Sequence, residues 1–156
     1  MITTPTQGGV GYSTHNCDVR VVARGASFSK GNLVEFDMAA SDANVDTHKF
    51  GREDSIFSNV ITPTSTANEG GKILAVCLED IAQNQKGKVR LCGTVEAILP
   101  GGEAVGDRLA AAGSGVAFEG PSAGDRYIAR VVGATVVGAY RLIDFDGLHG
   151  FGTKVS

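Results

Sequence analysis

The chain has 156 residues, 42% hydrophobic and 20% charged, which fits one folded domain and excludes a disordered chain. Its formal net charge of -3, with no run of Lys or Arg, argues against direct contact with DNA or RNA. No apolar stretch approaches the roughly 20 residues that span a bilayer, so no membrane is expected as a partner.

The opening MITTPTQGGVG lacks the basic and apolar regions of a secretory leader, so the chain is expected in a cytoplasm or in an assembly built there. Residues 1–16 are polar, rich in Gly and Thr and without periodicity, and they read as an extended N-terminal arm ahead of a single β-rich domain over 17–156. Residues 18–23 (DVRVVA) alternate around Val19 and Val21, and after the turn signal at 29–32 comes a second strand over 33–36. Residues 39–53 are polar with no helical stripe and read as a surface loop or short helix.

Residues 55–61 (SIFSNVI) read as a strand, and 63–71 as a compact loop. The clearest strand pair follows, 72–78 (KILAVCL) and 88–98 (KVRLCGTVEAI). In the second of these Val89, Leu91 and Gly93 share one face, and Lys88, Arg90 and Cys92 the other. Residues 107–112 carry a weak helical option or a loop packed on the body. Further strands are expected at 115–119, 126–132 and 135–145, with glycine turns between them. Strands at this spacing predict an all-β fold, a small barrel or sandwich of short antiparallel strands; the 22 glycines predict many turns.

Cys17, Cys77 and Cys92 are odd in number and lack CxxC spacing, so neither a disulfide framework nor a zinc knuckle is written here. Cys77 and Cys92 fall in apolar runs and are expected to be reduced core residues.

The chemical motifs each stop short. Residues 147–151 (GLHGF) are similar to the GLHGFHVH segment of copper/zinc superoxide dismutases, but Gly152, Thr153 and Lys154 stand where the next ligands belong. His15, His48 and His149 are too few to build that site. Asp144 and Asp146 precede Gly147 as in the start of an EF-hand loop, yet Val155 stands where the closing Glu is needed. Solvated turn carboxylates are the simpler reading there and at Asp42/Asp46, with a loose calcium site as the alternative. There is no GxSxG elbow, and the glycine clusters at 8–11 and 113–115 lack the Lys-Ser/Thr of a P-loop. No catalytic residue, metal or cofactor is therefore expected, and the chain reads as a structural or binding protein rather than an enzyme.

Within residues 70–132, the pieces at 73–80 (ILAVCLED), Gly87, 89–97 (VRLCGTVEA) and 106–109 (GDRL) resemble the pattern of phage head-decoration, or capsid cement, proteins. The resemblance implies a virion protein on the capsid exterior, made in the host cytoplasm, that forms a homotrimer and binds the major capsid protein. It also implies that the N-terminal arm contacts the capsid, which singles out Thr3, Thr4, Pro5, Thr6, Gln7 and Tyr12. The alternatives are another viral β module (fibre, tail or ligand-binding) or an enzyme assembled from dispersed residues such as His48, Asp54 and His149.

Overall fold

The computed structural model describes residues 17–38, 59–69, 71–112 and 115–155, which ten strands organise into two sheets. The first five are β1 (Asp18–Ala23), β2 (Leu33–Phe36), β3 (Asn59–Ile61), β4 (Leu74–Cys77) and β5 (Lys86–Arg90). They close a barrel in the order β1-β3-β2-β4-β5, with β5 returning to β1. The other five are β6 (Cys92–Ile98), β7 (Arg108–Ala111), β8 (Phe118–Glu119), β9 (Ala129–Val131) and β10 (Tyr140–Asp146). They form an antiparallel sheet in the order β6-β10-β9-β7-β8.

The fold is all-β, as the spacing of apolar runs predicts. One pair departs from the antiparallel expectation: β1 runs parallel to β3, through Val22↔Asn59 and Ala23↔Val60. The arm at 1–16 and the whole of the polar segment at 39–53 lie outside the described residues.

Two cores share the middle of the barrel wall. Inside the barrel, Val21, Ala23, Val34, Phe36, Val60, Ala75, Cys77, Val89 and Leu91 pack together. Between the barrel and the second sheet lie Leu33, Leu74 and Val76 from the wall, facing Val95, Ala97, Leu109, Ile128, Val131, Ile143 and Phe145. Strands β2 and β4 are therefore buried on both faces, which is why LVEF and LAVC read as nearly unbroken apolar runs rather than alternating ones. Phe118 and Phe145 meet edge to face with ring centroids 6.2 Å apart, a geometry that adds about 1 kcal/mol beyond area burial.

The polar member of β2, Glu35, is only 3% exposed. Its Oε1 accepts hydrogen bonds from the Thr64 N–H and hydroxyl, both at 3.0 Å, and Oε2 lies 3.7 Å from Lys72 Nζ. A buried charge with these partners is tolerated, whereas stranding them would not be.

Three sequence expectations change. Residues 88–98 are not one strand: Leu91 separates β5 in the barrel from β6 in the second sheet. Residues 107–112 are neither helix nor loop but contain β7, where Leu109 and Ala111 enter the inter-sheet core and small alanines suit the close packing. The last strand begins at Tyr140 rather than 135, because residues 133–139 form the turn that joins β9 to β10.

Candidate functional site

Where the N-terminal segment enters the body, three structural units meet: the start of β1, the end of β5 and the start of β6. Asp18 pairs with Arg90 in the β1–β5 ladder. One residue earlier, the Leu91 N–H donates to the Cys17 carbonyl at 2.7 Å and the Cys17 N–H donates to the Cys92 carbonyl at 3.4 Å. Two residues thus oppose one, a β-bulge that turns the chain out of the barrel and into the second sheet.

The same register places Cys17 and Cys92 with Cα atoms 5.2 Å apart, and they form a disulfide across 75 residues of sequence. The expectation of a reduced Cys92 is therefore corrected. The apolar run around Cys92 hid the pairing, and spacing could not show it, because partners so far apart are joined only by the β1–β5 register.

Side chains add to the junction. Arg90 Nε and Nη2 donate to the two carboxylate oxygens of Asp18 at 2.8 and 3.1 Å, and Nη1 donates to the Thr94 carbonyl at 2.7 Å. A bidentate guanidinium–carboxylate pair is the geometry in which a surface ion pair contributes most, about 1 kcal/mol. The root of the N-terminal segment is thus fixed to both sheets by a covalent bond, a bulge and an ion pair.

Cys77 differs from the other two cysteines. It is a free thiol, fully buried in the barrel core, and burial, assisted by the Asp80 charge, raises its pKa to about 12. Such a thiol is a packing residue and a poor nucleophile. A cleft of about 210 Å³ nearby is lined by Lys30, Leu78, Arg90, Thr94, Glu96 and Leu142, together with Cys77 and Val95. Lys30 spans its rim, 3.1 Å from Glu96 and 5.3 Å from the Tyr140 ring centre.

The GLHGF segment forms a corner. Asp146 Oδ1 accepts the N–H groups of Leu148 and His149, both at 2.9 Å, an Asx turn that reverses the chain after β10. Gly147 passes so close to the Leu74 carbonyl that a Cβ would collide with it, and its own carbonyl accepts the Leu74 N–H at 3.0 Å. The motif is thereby explained by packing between β10 and β4. Beside it, Arg126 is 7% exposed and donates through Nη2 to the Lys72 carbonyl at 3.0 Å, while its Nε is a buried donor without a partner. Burial lowers the pKa of this guanidinium, and the Asp146 charge opposes that shift.

Among the described residues no group of three or more His, Cys, Asp or Glu side chains comes together to hold a metal. Thr3, Thr4, Pro5, Thr6, Gln7 and Tyr12 lie outside the described residues, as do His15, Asp42, Asp46, His48 and Asp54. The structure does reveal an apolar strip that sequence reading did not single out. Val132 (41% exposed), Val136 (55%), Val137 (65%) and Leu142 (39%) stand out on β10 and the chain that precedes it. The signal was present as the VV pairs of an otherwise strand-like stretch, but alternation alone assigns half of such residues to a core.

Compared with protein-family models, curated proteins and solved structures, the chain matches none of them.

Proposed function

We propose that this chain is a capsid decoration protein that binds the outside of an icosahedral phage head as a homotrimer and cements it. The observation that carries this reading is the locked junction at Cys17, Asp18, Arg90 and Cys92, from which the N-terminal segment departs. A cement protein works as a tether, so load on its arm must pass into the body without peeling the first strand. A disulfide and a bidentate ion pair at the arm root meet that need.

The disulfide also suits the location. Thiols stay reduced in most cytosols, whereas particle surfaces outside the cell are oxidising, so the pair closes after release. The strip of Val132, Val136, Val137 and Leu142 supplies apolar surface for contact with a neighbouring copy or the shell.

The mechanism is linkage. A ligand that binds only the assembled shell stabilises it by mass action, and three arms on one trimer gain from effective concentration. The test is sedimentation of capsids with and without the chain, followed by heating of both. Co-sedimentation and a higher capsid melting temperature are expected. Equal melting temperatures would overturn cementing, and a monomer on gel filtration would overturn the trimer.

A further inference from the structure

Residues 131–139 read VVGATVVGA, and with Tyr140 they make ten residues without a charge. They fold back as the hairpin that joins β9 to β10. Val137 and Tyr140 exchange both backbone hydrogen bonds, at 3.0 and 3.1 Å, around Gly138 and Ala139. Gly138 takes the positive φ (64°) that the first central residue of a type II′ turn requires. The Ala139 carbonyl accepts the Leu99 N–H at 3.3 Å, which ties the tip to the chain just past β6. At the base, the Val132 and Gly133 N–H groups both donate to the Leu142 carbonyl at 3.1 Å. The hairpin is thus built in advance, and little ordering is left to be done on contact.

Val137 stands opposite Tyr140, Val132 opposite Leu142, and Tyr140 and Leu142 are two apart on β10. All four therefore share the outer face of the sheet, with Val136 beside them at the tip. Among the described residues seven large apolar side chains are exposed, and four of these are Val132, Val136, Val137 and Leu142. With the exposed Ala134 and Ala139 they form an apolar patch on the order of a few hundred Å², the size that marks an association surface on a monomer. The charge that follows this run, Arg141, is turned inward and buried, where it donates to the Gly133 and Glu103 carbonyls. At the rim Lys30 is paired with Glu96 and lies over the Tyr140 ring. An apolar centre with neutralised charges at its edge is the anatomy of an interface core.

The lack of charge fits one occupant above others, a second copy of this chain. About a rotation axis the residues nearest the axis meet their own copies, so any charge there faces its like. A tip seated in a bilayer has a different make-up, with aromatic and basic anchors that residues 131–139 lack. We infer that the hairpin over residues 131–142 is the contact between copies of this chain, packed around the symmetry axis with each Val137 against its own counterpart. This rests on the self-association in the reading above and not on capsid binding.

The test is sedimentation velocity of the full chain beside Val136→Asp/Val137→Asp. The parent is expected as a trimer and the double variant as a monomer, its association weakened at least about a hundredfold by like charges at the axis. Both valines are more than half exposed and outside the two cores, so the variant should keep the circular dichroism of the parent. Val155→Asp, at a position more exposed still but outside the patch, should stay a trimer. Val137→Cys, oxidised in dilute solution, should form an interchain disulfide that runs as a covalent dimer without reductant, whereas Val155→Cys should not. A monomeric parent would remove the trimer and this contact together. A trimer that survives the double variant, or in which Val137→Cys stays uncrosslinked, would overturn the contact and leave the trimer standing. A trimeric double variant that no longer co-sediments with capsids would assign the patch to the shell instead. A monomeric parent that floats with phosphatidylcholine/phosphatidylglycerol vesicles, where the double variant does not, would assign it to a bilayer.

Discussion

Reduction of the Cys17–Cys92 bond gives the largest single effect to be expected from one covalent change in this molecule. The bond closes a loop of 75 residues in separation, which contains the whole barrel. In the chain-entropy description a loop of that length lowers the entropy of the unfolded ensemble enough to stabilise the fold by about 4.5 kcal/mol, with measured bonds more often giving about 2–4. For a body of this size each kcal/mol moves the melting temperature by roughly 3 °C, so the expected drop is about 6–14 °C. The assay is calorimetric melting of the parent with and without a phosphine reductant, beside Cys17→Ser/Cys92→Ser. The double variant should melt with the reduced parent and be insensitive to reductant. A thiol count in denaturant without reductant should find one thiol, Cys77. Three thiols, or oxidised and reduced melts within about 1 °C of each other, would refute the reasoning.

Other consequences follow from single contacts. Gly147→Ala drives a methyl into the Leu74 carbonyl and should cost about 2–3 kcal/mol in urea unfolding, whereas Gly138→Ala, in open space, meets only the smaller penalty of its positive φ. Glu35→Ala strands the Thr64 N–H, leaves the Thr64 hydroxyl only its Thr66 partner, and should cost about 1–3 kcal/mol by the same measurement. Cys77, with its pKa raised from 9.0 to about 12, should resist iodoacetamide in the native state at pH 8.5 and react once urea opens the barrel. The neutral thiol favours the folded state, so this contribution is complete below pH 9. It is lost at about 1.4 kcal/mol per pH unit as pH rises from 9 towards 12, readable as a falling urea midpoint that Cys77→Ala lacks.

The strands legible in the sequence are those whose burial follows a simple rule. β1 alternates because one face lines the barrel, and β4 is uniformly apolar because both faces are buried. The break at Leu91 was not legible, because 88–98 keeps one alternation throughout while its buried residues pass from the barrel core to the inter-sheet core. β7 was hidden for another reason: Arg-Leu-Ala-Ala has no β-branched residue, and its strand state is imposed by β9 on one side and β8 on the other. The Cys17–Cys92 pair belongs to the same class, a consequence of long-range register with no local signature. GLHGF likewise carries no local sign of its place in the fold, which the structure shows as the corner after β10.

The 17–92 crosslink has a further consequence under proteolysis. It makes the entire barrel a covalent ring, with the leading segment on one side of the clasp and β6–β10 on the other. A single cut in any barrel loop, such as the exposed turn at Gln83–Asn84, opens the ring without releasing either piece. A nicked molecule would run as one band without reductant and two with it, and its leading segment would stay moored to the rest of the chain.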